Sequence, residues 1–398
     1  DSFSLKNINI KIINLDNKKN ETMFISELNV KKESNRSLDL SFDIENIKTS
    51  LFPSELKMHK VEKITLKSTV NKKMVKVSKL NLFLDGFSVG LNGIINGNIF
   101  SNEKLTLDGV VVGAGELKKF LMLLNNNDEA EGVLNFNGEV KADIKNFYNT
   151  FEFDGGLNSS FLRYKKWWLD SFTFSGSYKH KNKIINIKLA KLKSESVERK
   201  GGVYPGKGGE IEVKNTKLTI GKTAKIPLML KDAHIHWLAP DVVKEIFALD
   251  FRVNGKVNLD ITPSSENKPW LVTAGLNLKI PRLILDNQSL EKESDINKTL
   301  DVEGVNLNGN VLINSNFITP EKLKLTLKNT DLYVQGNVDY KKGYNLIAYG
   351  PIDLGELKQI GEIDTKGQGT MRISVKGPAD DIALKFTSRI KDLSYLNL

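Results

Sequence analysis

Apolar and polar residues alternate along most of this chain. Leu80-Leu82-Leu84, Phe87-Val89-Leu91, Phe172-Phe174, Ile185-Ile187-Leu189, Val257-Leu259-Ile261, Leu323-Leu325-Leu327 and Ile382-Leu384-Phe386 all recur at every second position. Successive side chains of a strand point to opposite faces, so a period of two predicts strands with one apolar and one polar face. Asp-Gly, Asn-Gly and Gly-Gly pairs punctuate the runs, beginning at Asp85, Asn92, Asn96, Asn137, Gly155, Asn254 and Asn308. Such pairs tolerate the positive φ of tight hairpins, which predicts a long antiparallel meander.

Helical spacing is confined to short stretches. Glu116–Leu124 (ELKKFLMLL) is one and Pro240–Leu249 (PDVVKEIFAL) the other, with proline near the first helical position; Glu356–Ile360 (ELKQI) reads as a single turn. GELKKF at Gly115 returns as GELKQI at Gly355, and PDVVKEIF falls near the midpoint. GLN at Gly156 returns at Gly275. Markers recurring in the same order define a repeat of about 120 residues. They divide the chain into 1–104, a truncated β-repeat segment; 105–225, a β-groove repeat with helix 116–124; 226–345, a second with helix 240–249; and 346–398, the start of another. The four are expected to form one continuous elongated structure.

A sheet with one apolar face has to cover that face, and two or three short helices are too few to do so. A sandwich, a barrel or a sheet curled over its own groove remain. The repeat favours the last: an all-β fold with a few short helices, its repetitive antiparallel sheet curled into a hydrophobic groove. Trp167-Trp168 then falls at a strand entry. Either one ring faces inward and the other the water interface, or both cap a core.

The composition, 40% hydrophobic and 27% charged, is that of a folding chain. The net charge is +10, but the lysines alternate with apolar residues, as in KITLKS and IINIKLAKLK, which puts them on solvent faces rather than in a nucleic-acid-binding block. There is no cysteine, hence no disulfide framework and no thiolate metal site. No run of about 18 apolar residues exists to span a membrane as a helix. The first residue is Asp1, which suggests a processed chain or a piece of a longer one.

Motifs that carry chemistry fail on inspection. GGVYPGKGG at Gly201 imitates a phosphate-binding loop, but Gly208 stands where Ser or Thr must follow the lysine, and a strand, EIEV, comes next. His234 and His236 share a strand face with Asp232, without a further ligand marked. Asp128-Glu129 and Asp380-Asp381 occupy turns, and no GxSxG elbow is present. No enzyme, cofactor or metal is expected.

The order of a strand, a GELKKF or GELKQI helix, a glycine-led hairpin such as GTMRISVKGPADDIALKF and a strand such as GLNLKIPRLIL resembles the AsmA-like proteins, and among them the TamB-type branch. VSKLNLFLDGFSVGLNGIINGNI and KLKLTLKNTDLYVQGNVDY fit the same pattern. The resemblance covers most of the chain, on degenerate motifs. It implies an envelope protein of the Gram-negative periplasm, anchored to the inner membrane by a segment outside this chain. It also implies a taco-like groove that shields phospholipid acyl chains between the two membranes, or a role in outer-membrane assembly with a β-barrel partner.

Candidate groove residues are the alternating apolar pairs Leu134 and Phe136, Phe172 and Phe174, Val257 and Leu259, Leu276 and Leu278, and Met371 and Ile373. Each serves equally well as ordinary core. Two other readings stand beside the lipid conduit: a dry structural or adhesive β-solenoid, and an assembly factor that holds extended chains by β-augmentation.

Overall fold

The computed structural model describes residues 2–14, 19–34, 37–47, 61–98, 104–123, 128–164, 167–194, 198–199, 202–203, 208–234, 247–265, 269–287, 298–357, 365–378 and 383–395. Strand takes up 81% and helix 6%, so the all-β expectation holds. Two compact units divide the chain, 1–189 and 190–398.

The first unit runs β1 (Ser2–Asn14), β2 (Lys19–Ser34), β3 (Ser37–Ile47), β4 (Val61–Asn71), β5 (Met74–Leu84), β6 (Phe87–Asn96), β7 (Thr106–Glu116), α1 (Leu117–Leu123), β8 (Ala130–Asp143), α2 (Phe147–Thr150) and β9 (Glu152–Ser159). It continues through β10 (Leu162–Tyr164), β11 (Trp167–Leu169), β12 (Ser171–Lys179) and the start of β13 (Ile184–Ser194). From β1 to β9 each strand pairs antiparallel with the next, and β12 pairs with β9. The small β10–β11 hairpin leans on the start of β8.

The second unit opens with the β14 (Glu198–Arg199) and β15 (Gly202–Val203) hairpin. It continues with β16 (Gly209–Thr219), β17 (Ala224–His234), β18 (Phe247–Thr262), β19 (Leu271–Asn287), β20 (Lys298–Asn314), β21 (Phe317–Thr326), β22 (Asp331–Asp339), β23 (Gly343–Asp353), β24 (Thr365–Gly377) and β25 (Ala383–Tyr395). From β16 onward these too pair in sequence order. No pairing among the described residues closes either sheet into a barrel.

Several glycine pairs that read as turns lie inside strands. Asp85-Gly86 does form the two-residue β5–β6 hairpin, with Gly86 at φ +80°. Asn92-Gly93, Asn137-Gly138 and Gly155-Gly156 instead sit within β6, β8 and β9. Asn254-Gly255 and Asn308-Gly309 lie in β18 and β20 where the register slips, as in a β-bulge. The reason is steric. Asn-Gly suits a primed turn, but glycine also suits a strand where another backbone or a ring comes close.

The helices need smaller corrections. Of the helix predicted at 116–124, Leu117–Leu123 form α1, Glu116 still belongs to β7 and Leu124 lies outside the described residues; of ELKQI, Glu356 and Leu357 close a 3-10 turn at Leu354–Leu357 and 358–360 lie outside the described residues. Residues 240–246 of the second predicted helix lie outside the described residues. Phe247-Ala248-Leu249 already belong to β18, where the backbone of Leu249 is in register with that of Leu285. Two of the sequence-based boundaries, 225/226 and 345/346, fall inside β17 and β23. The tryptophan pair lies in β11, opposite Tyr164 and Arg163.

A charged cluster ties β16 to its neighbours on the polar face of the second unit. Glu210 accepts from Lys191 at 2.8 Å and from Lys231 at 2.8 Å, and Glu212 pairs with Lys214 at 2.6 Å. Hydrogen bonds from Lys191 and then Lys231 hold the Glu210 carboxyl below the usual carboxylate range. A carboxyl whose folded pKa is depressed stabilises the fold above its unfolded value, near 4.5, and loses that contribution as pH falls through the folded value. Glu210→Gln is therefore expected to lower the urea midpoint of the second unit at pH 6. The gap to wild type should close as pH drops below 4.5. An unchanged gap at pH 3 would remove the ion pairs as its source.

Candidate functional site

Cross-strand register turns the alternating residues of the first unit into rows on one face. One row runs Leu82–Val89–Gly113–Phe136–Leu157–Phe174 from β5 to β12. The next runs Leu80–Leu91–Val111–Gly138–Gly155–Gly176. A third runs Val77–Gly93–Gly109–Val140–Phe153–Tyr178. The polar residues between them, such as Asn135, Asn137, Glu139 and Lys141 of β8, take the other face and are exposed.

The glycines of the middle row shape this face. A Cβ on Gly138 would lie 2.7 Å from the Phe153 ring and 2.8 Å from the Gly155 Cα. A Cβ on Gly176 would lie 3.0 Å from the Phe174 ring. Each glycine thus seats a ring from a neighbouring row, so the large side chains lie along the sheet instead of filling the space above it.

The two helices bound the face from opposite strand ends. Glu116 at the end of β7 faces Val133, whereas Thr106 at its start faces Asp143, so α1 follows one end and α2 the other. On α1, Phe120 meets Phe87 edge-on at 4.4 Å between centroids and Phe136 at 6.1 Å. Lys119 ties the helix to Asp85 of the β5–β6 hairpin at 2.7 Å. On α2, Thr150 donates to the Asn146 carbonyl at 2.8 Å and accepts from the Asp143 amide at 2.8 Å. The Phe147 and Phe151 rings lie tilted to each other with centroids 5.3 Å apart, and Phe151 reaches Tyr178 at 6.4 Å.

Between sheet and helices lies an open cavity of about 580 Å³, a trough lined from β5 to β13. That is within the range of about 300–1,000 Å³ typical of small-molecule sites. Its walls include Leu80, Leu91, Val111, Phe136, Leu157 and Phe174, with Phe120 from α1 and Phe147 and Phe151 from the α2 end. Ser177 and Tyr178 bring the polar side chains, and both hydroxyls are already engaged. Asn186 Nδ2 donates to Ser177 Oγ at 3.1 Å, and Tyr178 Oη lies 2.9 Å from His180 Nδ1. The trough offers dispersion and burial, with little to orient a polar substrate.

Of the sequence candidates, Phe136 and Phe174 line this cavity. Leu134 and Phe172 share their face one row further toward α1, half-buried and outside the cavity lining. The other six lie on the apolar face of the second unit. Val257 faces Leu276, Leu278 faces Gly255, and Leu259 faces Ala274. Met371 and Ile373 face Gly350 and Ala348. Val257, Leu278 and Met371 are buried against their neighbours, whereas Leu259, Leu276 and Ile373 are half-buried. Sequence reasoning missed Phe147 and Phe151, although their spacing of four is that of one helix face. It also missed Phe153 and Leu157, which keep the period of two on either side of Gly155.

The motifs set aside above have structural partners. Arg163 meets Glu129 at 3.4 Å and Tyr164 donates to Asp128, so this carboxylate pair fastens the β10–β11 hairpin. Arg252 binds Asp232 at 2.6 Å, and His234 is buried with its amide donating to the Gly208 carbonyl at 2.7 Å. His236, Lys207 and Asp380-Asp381 lie outside the described residues. After Gly208 the chain enters β16 and not a helix. Among the described residues no group of three His, Cys, Asp or Glu is placed to hold a metal ion.

Comparison with protein-family models, with curated proteins and with solved structures finds no match for this chain.

Proposed function

We propose that this chain is a non-enzymatic lipid-binding protein whose trough shields phospholipid acyl chains. The observation that carries the reading is the trough of the first unit, about 580 Å³ bounded almost wholly by aliphatic and aromatic side chains. Each methylene moved from water into such surroundings contributes about 0.8 kcal/mol, so an acyl chain gains affinity without any directed polar contact. The resemblance to AsmA-like, TamB-type proteins supports reading this activity as a conduit between the inner and outer membranes of a Gram-negative envelope. Membrane anchorage and an outer-membrane β-barrel partner would then reside outside this chain.

Native mass spectrometry of protein purified without detergent, followed by organic extraction, tests the proposal. Co-purifying phospholipid is the expected result. A lipid-free, monodisperse chain that also fails to take up phospholipid from vesicles would sink it in favour of the dry solenoid. Capture of extended peptides in place of lipid would favour β-augmentation.

A further inference from the structure

The polar face of the first unit carries an open cavity of its own, about 540 Å³. β5 supplies one wall with Asn81 and Phe83, and β8 and β9 supply the other with Asn135, Asn137 and Asn158. Register sets Ser88 and Ala114 between Phe83 and Asn135, and Gly90 and Val112 between Asn81 and Asn137. Apart from Val112 these floor residues are short, so the surface dips where β6 and β7 cross it. The walls on β5 and β8 stand three strand spacings apart, about 14 Å. Every strand from β5 to β8 is paired on both sides, so no free sheet edge contributes to the site.

Among the described residues no charged side chain lines this cavity. Its surroundings are different. Lys63 pairs with Asp43 at 3.8 Å and with Glu45 at 3.1 Å, Lys141 with Asp108 at 3.7 Å, and Lys188 with Asp154 at 2.9 Å. Solubility of the face is served by such charges, whereas asparagine is a poor strand former. Four asparagines nonetheless share one depression. Asn135 donates to Asn158 at 3.4 Å, and among the described residues the side-chain amides of Asn81 and Asn137 make no hydrogen bond. Carboxamides present donors and acceptors side by side without charge. Phe83 at 36% exposure and Val112 at 55% add apolar surface within reach of them.

A ligand that matches this lining is uncharged, carries neighbouring hydroxyls that both donate and accept, and has a C–H face to lie on a ring. A phosphate-bearing ligand or a nucleic acid would need cations that the walls lack. An acyl chain is better served by the trough on the opposite face, and an extended peptide would need an unpaired strand edge. We infer that the cavity binds a neutral oligosaccharide, its hydroxyls on the asparagine amides and a sugar C–H face on Phe83 and Val112. The site is independent of what fills the trough.

Isothermal titration of the 398-residue chain with cellohexaose and chitohexaose tests it, with hexagalacturonate as the anionic control. Both neutral sugars are flat ribbons, a shape that a sheet face accepts. Millimolar or tighter binding of at least one is expected, since exposed hydrogen bonds are individually weak, and hexagalacturonate should bind less well. Asn137→Ala/Asn158→Ala should weaken binding about tenfold. Val112→Arg, at an exposed position, should abolish it by filling the floor. Both variants should leave co-purifying phospholipid unchanged, which separates failure here from failure of the proposed function. No binding of either neutral sugar overturns the inference, as does tighter binding of hexagalacturonate. Wild-type affinity in either folded variant overturns it too; if one variant misfolds by circular dichroism, the other still decides.

Discussion

Placing a methyl group on Gly155 lowers the stability of the first unit by about 2–4 kcal/mol. The added Cβ would press on the Asn137 carbonyl oxygen, lie 2.5 Å from the Gly138 Cα and lie 2.8 Å from the Phe153 ring. Two of these neighbours are backbone of a paired strand, which yields only by breaking the β8–β9 ladder. Gly275→Ala in β19 is the matched control. There the nearest atom to a new Cβ is the Asn310 side-chain oxygen at 3.4 Å, an ordinary contact. Without a clash, the change should act mainly by restricting the unfolded chain, a gain of about 0.4–1 kcal/mol. Urea unfolding followed by circular dichroism reads both. Equal midpoints for Gly155→Ala and wild type would show that the glycine row is not held by close approach.

The second large effect is expected on the proposed lipid capture. Leu157→Asp/Phe174→Asp sets two carboxylates into adjoining positions of the same row, in a cavity that has no free partner for them among its described walls. Burying an unpaired carboxylate costs several kcal/mol, while the contacts of a few methylenes are lost as well. Co-purifying phospholipid should fall by at least about tenfold. Both positions are only half-buried and border the cavity rather than a packed layer, so the fold should survive. Val111→Trp is the companion variant. It lies across from Gly138 and fills the trough with apolar bulk, so it tests occupancy without adding charge. Phospholipid retained at wild-type level in both folded variants would remove the trough from lipid binding.

The sequence made the apolar face legible because a period of two needs no knowledge of partners. It placed Phe136 and Phe174 on an apolar strand face, yet could not show that they share a row. Leu157 stands between them, and that adjacency depends on which strand pairs with which. Asn-Gly was the main source of error. The dipeptide reports only that a side chain is missing: Gly93 and Gly138, like Gly155 of the Gly-Gly pair, omit theirs to let rings and backbones approach, not to turn the chain. Val257, Leu278 and Met371 show the other limit: alternation marks a face, but neighbouring side chains decide how much of it stays open. The aromatic pair Phe147 and Phe151 escaped because α2 is a single turn between two strands, too short to generate a recognisable period.

Pairing in sequence order carries a kinetic consequence. A strand that docks on its predecessor closes only a short loop, so the entropic penalty stays small and is offset at every hairpin. Topologies built from such local pairings fold faster than Greek-key sandwiches of equal size. One short excursion, β10 and β11, leans back on β8 before β12 arrives at β9. The chain is therefore able to add strands in the order in which it emerges during synthesis. By the time residue 189 is clear, the walls of the trough are in place without waiting for anything that follows.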